Sequence, residues 1–234
     1  MSISSLREGA SLQRLTLVLL GFLALIALGG CIFDPDQADE GGRVEPAEFK
    51  IPLVDDGNAG RDQVIKNLEN AYIELEFPEY EKLIHDDYVF LIDPAELGAV
   101  GSLEFGAAED LESTRSMFNR EWGEETLVDD DGNPIGEPVP VPPVDTIDLT
   151  LTPESASSWK LEQDGRFVGA WRRIYRVTMT VEYKEGARID QIRGLQTFYV
   201  VASTQTRVVD DEEVELEVWQ LLGWEDQGID SVPN

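Results

Sequence analysis

The sequence predicts an α+β domain whose strands form an antiparallel sheet. Amphipathic helical patterns come first, at 64–75 and 78–84, and another follows at 108–122. Alternating strand patterns then occupy 147–224. Helices that precede a run of strands favour an α+β fold over an alternating α/β fold. We place this domain at 59–228, after a signal peptide at 1–30 and an acidic tether at 31–58.

The first thirty residues have the order of a secretory signal peptide. Arg7 and Arg14 supply positive charge, an apolar run follows at 15–28, and small residues follow that run. This order is typical of a secreted chain. The run is shorter than the ~20 apolar residues that a transmembrane helix needs, and a polar segment comes directly after it.

The string Leu28-Gly29-Gly30-Cys31 resembles the lipobox of bacterial lipoproteins. The resemblance implies cleavage between Gly30 and Cys31, a lipid such as palmitate on the Cys31 sulfur, and attachment of the chain to membrane lipid. Ile32 stands where an Asp would retain a lipoprotein in the inner membrane. The family's sorting rule therefore implies the outer membrane of the cell envelope, on its periplasmic or its surface face. An ordinary signal peptide and an N-terminal anchor helix are the alternatives.

Residues 31–58 are predicted to form a tether because they are rich in Asp, Glu, Pro and Gly and lack periodicity. Phe49, Ile51 and Leu53 allow part of it to pack on the domain. The chain has a net charge of −29, and removal of residues 1–30, with two arginines and one glutamate, makes it −30. Phosphate backbones repel such a chain, so nucleic acid is excluded as a partner.

The helices are predicted from the spacing of apolar residues. The first helix has one apolar face, made of Val64, Ile65, Leu68, Ala71, Tyr72 and Leu75. Pro78 suits the first turn of the second helix. We expect His85-Asp86-Asp87 to end that helix, where His85 interacts with the helix dipole. The third helix, at 108–122, carries Leu111, Phe118 and Trp122 on one face.

The strands are predicted from alternation. A first strand is expected at 88–92, and later strands alternate around Leu149, Tyr175 and Val218. Residues 195–207 include a stretch that is apolar on both faces, as in a central strand. Residues 128–145 form a Pro-rich insertion, in which four prolines between Pro138 and Pro143 exclude helix and favour an extended arm.

Two stretches carry a resemblance to the nuclear transport factor 2-like superfamily. NLENAYIELEFPEYEKLIHDDYVFLID has the helix, helix, strand order of its opening, and the DLESTRSMFNREW helix and VWQLLGWED strand follow in matching order. The resemblance covers 61–226 and implies a curved antiparallel sheet wrapped around the N-terminal helices, forming a cone with a pocket. The family's second strand is not apparent, and the Pro-rich insertion is an addition. We expect the pocket to be lined by Tyr72, Tyr88, Asp93, Phe118, Trp122 and Tyr199.

Few residues of the chain are suited to catalysis or metal binding. His85 is the only histidine, and the only cysteine is Cys31, whose sulfur the lipid occupies. Neither a nucleophile–base pair nor a zinc site is therefore predicted. An EF-hand loop counted from Asp129 has prolines at its sixth and twelfth positions, where Gly and Glu are needed. We predict no metal, no cofactor and no catalytic residue.

The sequence thus predicts a membrane-anchored, non-catalytic binding domain for an apolar small ligand or a protein of the cell envelope. The one basic and aromatic cluster, Trp171-Arg172-Arg173, is expected to pair with acids of this chain. The alternative, implied by enzymes of the resembled superfamily, is an isomerase- or dehydratase-like reaction with Asp93 as base and Tyr72 or Tyr88 as donor. A buried carboxylate with a raised pKa would favour the enzyme.

Overall fold

The computed structural model describes residues 47–92, 104–125, 137–154, 158–186, 189–209 and 211–227. Within these residues, three α-helices pack against a mixed sheet of seven strands. The predictions for the signal peptide, Gly30, Cys31, Asp93 and the acids at 129–131 lie outside the described residues. None of the helices within the described ranges is long and apolar enough to cross a membrane.

The helices are α1 at Asn58–Glu74, α2 at Phe77–Leu83 and α3 at Ala107–Phe118. The predicted apolar face of α1 is buried from Val64 to Tyr72. The helix ends at Leu75, which has a left-handed backbone with φ of 57° and bonds through its N–H to the carbonyls of Ala71 and Tyr72. Pro78 then stands in the first turn of α2, where its missing N–H costs nothing.

The third helix is shorter than predicted. It ends at Phe118, because Arg120 adopts a left-handed φ of 56° and the chain turns back through a bond from the Arg120 N–H to the Met117 carbonyl. Trp122 therefore lies beyond the helix, with 70% of its surface exposed. Its predicted place on the apolar face of α3 is wrong.

The strands form one large sheet and one small one. In the large sheet the order is β2-β1-β9-β8-β7-β5, with β6 also paired to β7, while β3 and β4 pair with each other. The bounds are β1 Ile84–Leu91, β2 Glu104–Gly106, β3 Gly123–Glu125, β4 Val139–Val141, β5 Val144–Pro153, β6 Lys160–Leu161, β7 Trp171–Tyr183, β8 Ile189–Val209 and β9 Glu212–Asp226.

The sequence predicted a wholly antiparallel sheet, but the observed sheet is mixed. β1 runs parallel to β9, while the other strand pairs are antiparallel. Parallel neighbours cannot be joined by a hairpin, and here α3 and seven strands separate β1 from β9 along the chain. A short strand that the sequence did not indicate, β2, pairs with β1.

The segment His85-Asp86-Asp87 belongs to β1 and does not end α2 as predicted. α2 stops at Leu83 because Ile84 already pairs with Leu221 of β9. The register of β1 shifts between Ile84 and Val89, so these three residues form an irregular stretch. His85 Nδ1 accepts a hydrogen bond from the Asp87 backbone N–H at 3.1 Å. Its role is local and has no connection with the helix dipole.

The last part of the predicted tether packs on the domain. Asn67 of α1 bonds both ways with Lys50, donating from Nδ2 to its carbonyl at 2.6 Å. The backbone N–H of Trp219 in β9 donates to the Pro52 carbonyl at 2.8 Å, and Leu53 pairs with Val218. Gly60 permits this contact, since a Cβ there would lie 2.1 Å from the Leu53 carbonyl oxygen.

The long strand β8 changes environment at Val200. Residues 195–200 are buried on both faces. One face meets the core, and on the other Phe167, from the loop between β6 and β7, stacks on Tyr199 with ring centres 4.1 Å apart. Gly223 provides the space, because a Cβ there would lie 2.4 Å from the Phe167 ring. Beyond Val200, β8 continues with β9 as a two-stranded ribbon, which we define as residues 201–209 and 212–217.

Candidate functional site

Four elements bring three tyrosines and one carboxylate together in the interior. Tyr72 comes from α1, Tyr80 from α2, Tyr88 from β1 and Asp110 from α3. The three tyrosines are no more than 1% exposed. We call these four residues the tyrosine–aspartate cluster.

Each member is placed by the local pattern of its element. Tyr72 lies on the apolar face of α1, and Tyr80 lies on the face of α2 that also buries Phe77 and Leu83. Tyr88 and Phe90 are buried along β1 and alternate with half-buried Val89 and Leu91. Asp110 lies near the start of α3, where the helix dipole favours a negative charge.

The Asp110 carboxyl group is held by Tyr80. The Tyr80 hydroxyl donates a hydrogen bond to Asp110 Oδ2 at 2.5 Å. Asp110 as a whole residue is only partly buried, but its carboxyl group lies among protein atoms, and this burial raises its pKa to about 6. The hydrogen bond from Tyr80 acts in the opposite direction and limits the rise. Asp110 is thus a carboxyl group that exchanges its proton close to neutral pH.

The tyrosine hydroxyls stay protonated. Burial raises the pKa of Tyr72, Tyr80 and Tyr88, and the negative charge of Asp110 raises each of them further. Tyr72 is hydrogen-bonded with Thr114 and Tyr80. The Tyr88 hydroxyl lies beside that of Tyr80, yet no atom of the described residues completes a hydrogen bond of ordinary geometry with it. Chemically the cluster offers a carboxyl group and hydroxyl donors in a desolvated place.

Aromatic rings fill the interior next to this cluster. Tyr72 meets Phe118 at 5.1 Å and Trp224 at 6.5 Å between ring centres, both edge to face. Trp224 in turn meets Phe90 at 5.6 Å and Phe198 at 4.7 Å. These five rings are between 0% and 5% exposed. Such contacts are favourable and stabilise the interior beside the cluster.

A second cluster joins the start of α1 to the sheet. The Arg61 guanidinium lies 4.0 Å from the ring centre of Trp171 and 4.7 Å from that of Trp219. Asp62 accepts hydrogen bonds from Trp159 at 2.7 Å and from Arg173 at 2.8 Å. The prediction that the Trp171-Arg172-Arg173 stretch pairs with acids is confirmed, since Arg172 pairs with Glu162 and Arg173 with Asp62.

The predicted pocket residues fall in different places. Tyr72, Tyr88 and Phe118 lie together in the interior. Tyr199 lies on the opposite face of β8, stacked on Phe167 and hydrogen-bonded to Glu225 at 2.8 Å. Trp122 is largely exposed. The structure therefore brings together three of the five predicted pocket residues that lie in its described part.

Sequence reasoning missed Asp110 and the role of Tyr80. Asp110 follows Glu109 at the start of a helix, where acids are common simply because of the dipole. From the sequence, Tyr80 is predicted only to lie on the apolar face of a helix. One signal was present: Tyr72, Tyr80 and Tyr88 follow one another at intervals of eight residues across two helices and a strand, but the interval does not say that they meet. In the part of the chain that the structure describes, no three His, Cys, Asp or Glu side chains are grouped to hold a metal.

Comparisons with known proteins find similar solved structures. No family model matches the sequence, and no curated protein matches it. A conserved protein from Planctomyces limnophilus aligns with a TM-score of 0.43 and 16% identity over 74% of this chain and 94% of its own. A nuclear transport factor 2-like superfamily protein from Salmonella enterica serovar Typhimurium aligns with a TM-score of 0.44 and 8% identity over 77% and 96%.

A ketosteroid isomerase-like protein from Erwinia carotovora atroseptica aligns with a TM-score of 0.31 and 11% identity, over 71% of this chain and 93% of its own.

Proposed function

We propose that this chain is a lipid-anchored protein of the cell envelope whose folded domain binds another protein and does not catalyse a reaction. One observation carries the choice of a protein partner over an apolar small ligand. The interior next to the tyrosine–aspartate cluster is occupied by rings in mutual contact. Binding is then left to the outer surface, where partner proteins are recognised by shape and charge.

The anchor is supported by the first thirty-one residues. A short apolar run after two arginines leads into Leu28-Gly29-Gly30-Cys31, which resembles a lipobox. Stable attachment takes more than one acyl chain, at ~0.8 kcal/mol per buried methylene. The net charge of −29 also repels anionic headgroups, which favours a domain that stands away from the membrane surface and is accessible to partners.

The anchor is tested by metabolic labelling with a fatty-acid analogue. We expect Cys31→Ser to abolish labelling, because the thiol that would carry the lipid is gone. Ile32→Asp is the matched variant: it keeps the cysteine, so it should be labelled normally but move from the outer to the inner membrane in a sucrose gradient. Labelling of the Cys31→Ser protein would refute the anchor.

The filled interior is tested by native mass spectrometry of the protein purified from its host. We expect the mass of the processed, acylated chain and nothing more. A sample unfolded in urea and refolded serves as the control, because unfolding releases any ligand held inside. A stoichiometric small molecule that is present before refolding and absent after it would contradict the protein-binding proposal.

The tyrosine–aspartate cluster favours a second candidate, an isomerase-like enzyme. Asp110, with a pKa raised to about 6 by burial, has the character of a general acid or base near neutral pH. Tyr80 and Tyr88 would be hydroxyl donors to an oxyanion. Asp110 here takes the part that the sequence assigned to Asp93.

This candidate is tested with a phenol, whose phenolate oxygen stands in for an enolate. An enzyme of this kind would bind the phenol, bind it more tightly in Asp110→Asn, because the amide resembles the protonated base that accompanies an enolate, and bind it unchanged in Glu112→Gln, which removes an exposed acid from the same helix. We expect no binding by any of the three proteins. Binding that depends on Asp110 would replace the first proposal by the second.

A further inference from the structure

The ribbon extends the sheet beyond the strands that flank it. The last residue of β8 that pairs with β7 is Val200, opposite Trp171. On the other side, β9 pairs with β1 from Leu221 onward and with Leu53 at Val218. Within the described residues, 201–209 pair only with 212–220 of β9, and the other edge of 212–217 has no strand beside it.

One face of the ribbon is covered by the end of α2. Gln205, Arg207 and Gln220 share this face by alternation and register. Their side chains donate to the Lys82 carbonyl at 3.1, 3.2 and 3.3 Å respectively. These hydrogen bonds join one face of the ribbon to the end of α2.

The opposite face is exposed along its whole length. Here Thr204 lies opposite Glu217, Thr206 opposite Glu215 and Val208 opposite Glu213. All six residues are exposed, Val208 to 70%. The uncharged, mostly β-branched side chains are all on β8 and the three glutamates are all on β9, so the glutamates form a row beside the free edge.

No cation of the described residues neutralises this row. The ion pairs formed within the described ranges involve other acids. Side chains at alternate positions of a strand lie on one face, and residues directly opposite on a neighbouring strand have Cβ atoms about 5 Å apart. A strand added beside 212–217 would place its own alternate residues next to Glu213, Glu215 and Glu217.

We propose that the free edge of β9 at 212–217 accepts an extended segment of a partner protein as an additional strand, with Lys or Arg of that segment at alternate positions. The inference rests on the proposed protein-binding function and names its surface. Strand addition supplies affinity through backbone hydrogen bonds and specificity through side chains. The added strand continues the line of β1 and Leu53, which cover the same edge of β9 further along.

A second copy of this chain does not fit this edge. Two such edges placed together would bring two glutamate rows into contact, and like charges directly opposite one another are destabilising. Charges on an edge strand also prevent self-association. That effect alone would make the glutamates protective without any partner, and the experiment separates the two roles.

The test uses the full-length protein purified from membranes in mild detergent and a labelled synthetic peptide as long as the 212–217 edge. The peptide has Lys at alternate positions with Thr and Val between them. Fluorescence anisotropy at low salt measures its binding. A peptide of the same composition with its lysines grouped at one end should bind about 10-fold more weakly, because fewer lysines reach the glutamate row. A peptide N-methylated on its pairing edge should not bind.

The variant that tests the surface is Glu213→Gln with Glu215→Gln and Glu217→Gln. We expect it to bind the alternating peptide about 10-fold more weakly. The matched control, Asp145→Asn with Asp148→Asn and Asp164→Asn, removes three exposed acids elsewhere and should bind as the unchanged protein does. Urea unfolding of both variants checks that the fold is kept.

Several results would overturn the proposal. These are no binding by the unchanged protein, equal binding of the alternating and grouped peptides, binding of the N-methylated peptide, or equal loss in the two triple variants. Self-association of the glutamine variant, together with no peptide binding by the unchanged protein, would show a protective edge only. None of these results bears on a ligand in the interior, so mass spectrometry tests the proposed function separately.

Discussion

Two segments of β8, residues 195–200 and 201–209, show how cover from neighbouring elements determines what one strand can do. In residues 195–200 both faces are buried, by the core on one side and by Phe167 on the other. In residues 201–209 one face meets the end of α2 and the other meets solvent. Residues 195–200 bury Gln196 and Thr197 together with apolar and aromatic side chains, whereas the outer face of the ribbon exposes Thr204, Thr206 and Val208. The first segment contributes to stability, whereas the second is accessible for recognition.

The largest expected effect on stability is within the buried segment of β8, residues 195–200. Phe198→Ala should lower the free energy of unfolding by about 3–5 kcal/mol, because it removes a ring that packs on Trp224 and leaves a cavity. Val208→Ala, in the same strand but 70% exposed, should change it by less than ~0.5 kcal/mol. Urea denaturation measures both. Similar losses of unfolding free energy at the two positions would refute the contrast between the two segments.

The second expected effect is a difference in how the unfolding free energy depends on pH, between a buried carboxyl group, that of Asp110, and an exposed one on the ribbon, that of Glu215. The folded-state pKa of Asp110 is raised to about 6 from an ordinary value of 3.8, so the folded protein binds more protons than the unfolded chain between these values. Stability from this group is therefore present below pH ~4 and is lost as pH rises through ~6, by roughly 2–3 kcal/mol.

Asp110→Asn should remove this fall, which is measured as the difference in unfolding free energy between pH 4 and pH 7.5. Glu215→Gln is the matched variant, because Glu215 is exposed on the ribbon. Its profile should follow that of the unchanged protein. If both variants have the same profile, the Asp110 carboxyl group is no more desolvated than a surface acid.

The smallest expected effect lies within the ribbon, between its two faces. Gln205→Ala should cost about 1 kcal/mol, because it removes one hydrogen bond to the Lys82 carbonyl. Thr204→Ala, on the exposed face, should cost less than ~0.5 kcal/mol. Urea denaturation with replicate measurements resolves this difference. Equal values for the two variants would mean that α2 does not fix the ribbon.

Much of the fold could be predicted from local patterns. The spacing of Val64, Leu68 and Tyr72 predicted α1, and alternation predicted β5, β7 and β9, because both patterns report which side of an element is buried. Short strands were missed, since β2 with three residues and β6 with two are too short to show a period. The parallel pairing of β1 with β9 was missed because local patterns carry no information on the direction of a distant strand.

The candidate site was less predictable, because it depends on which distant residues meet. Tyr72 and Tyr88 were chosen as aromatic residues on buried faces, and both lie in the cluster. Trp122 was misplaced by a turn at Arg120 that periodicity does not predict. Asp110 became notable only when α3 placed its carboxyl group beside Tyr80.

The packing of residues 47–53 has a mechanical consequence. A pull on the N-terminal side of the domain first meets Asn70, which donates to the Glu48 carbonyl at 3.2 Å, and then the bonds between Asn67 and Lys50. Next in line is the bond from Trp219 to the Pro52 carbonyl, which joins the segment to β9. Force is thus transferred to the sheet before it reaches the first turn of α1. For a domain held at its N-terminal end, this segment would divide tension between two side chains of α1 and the backbone of β9, so that the first turn of α1 is not pulled directly.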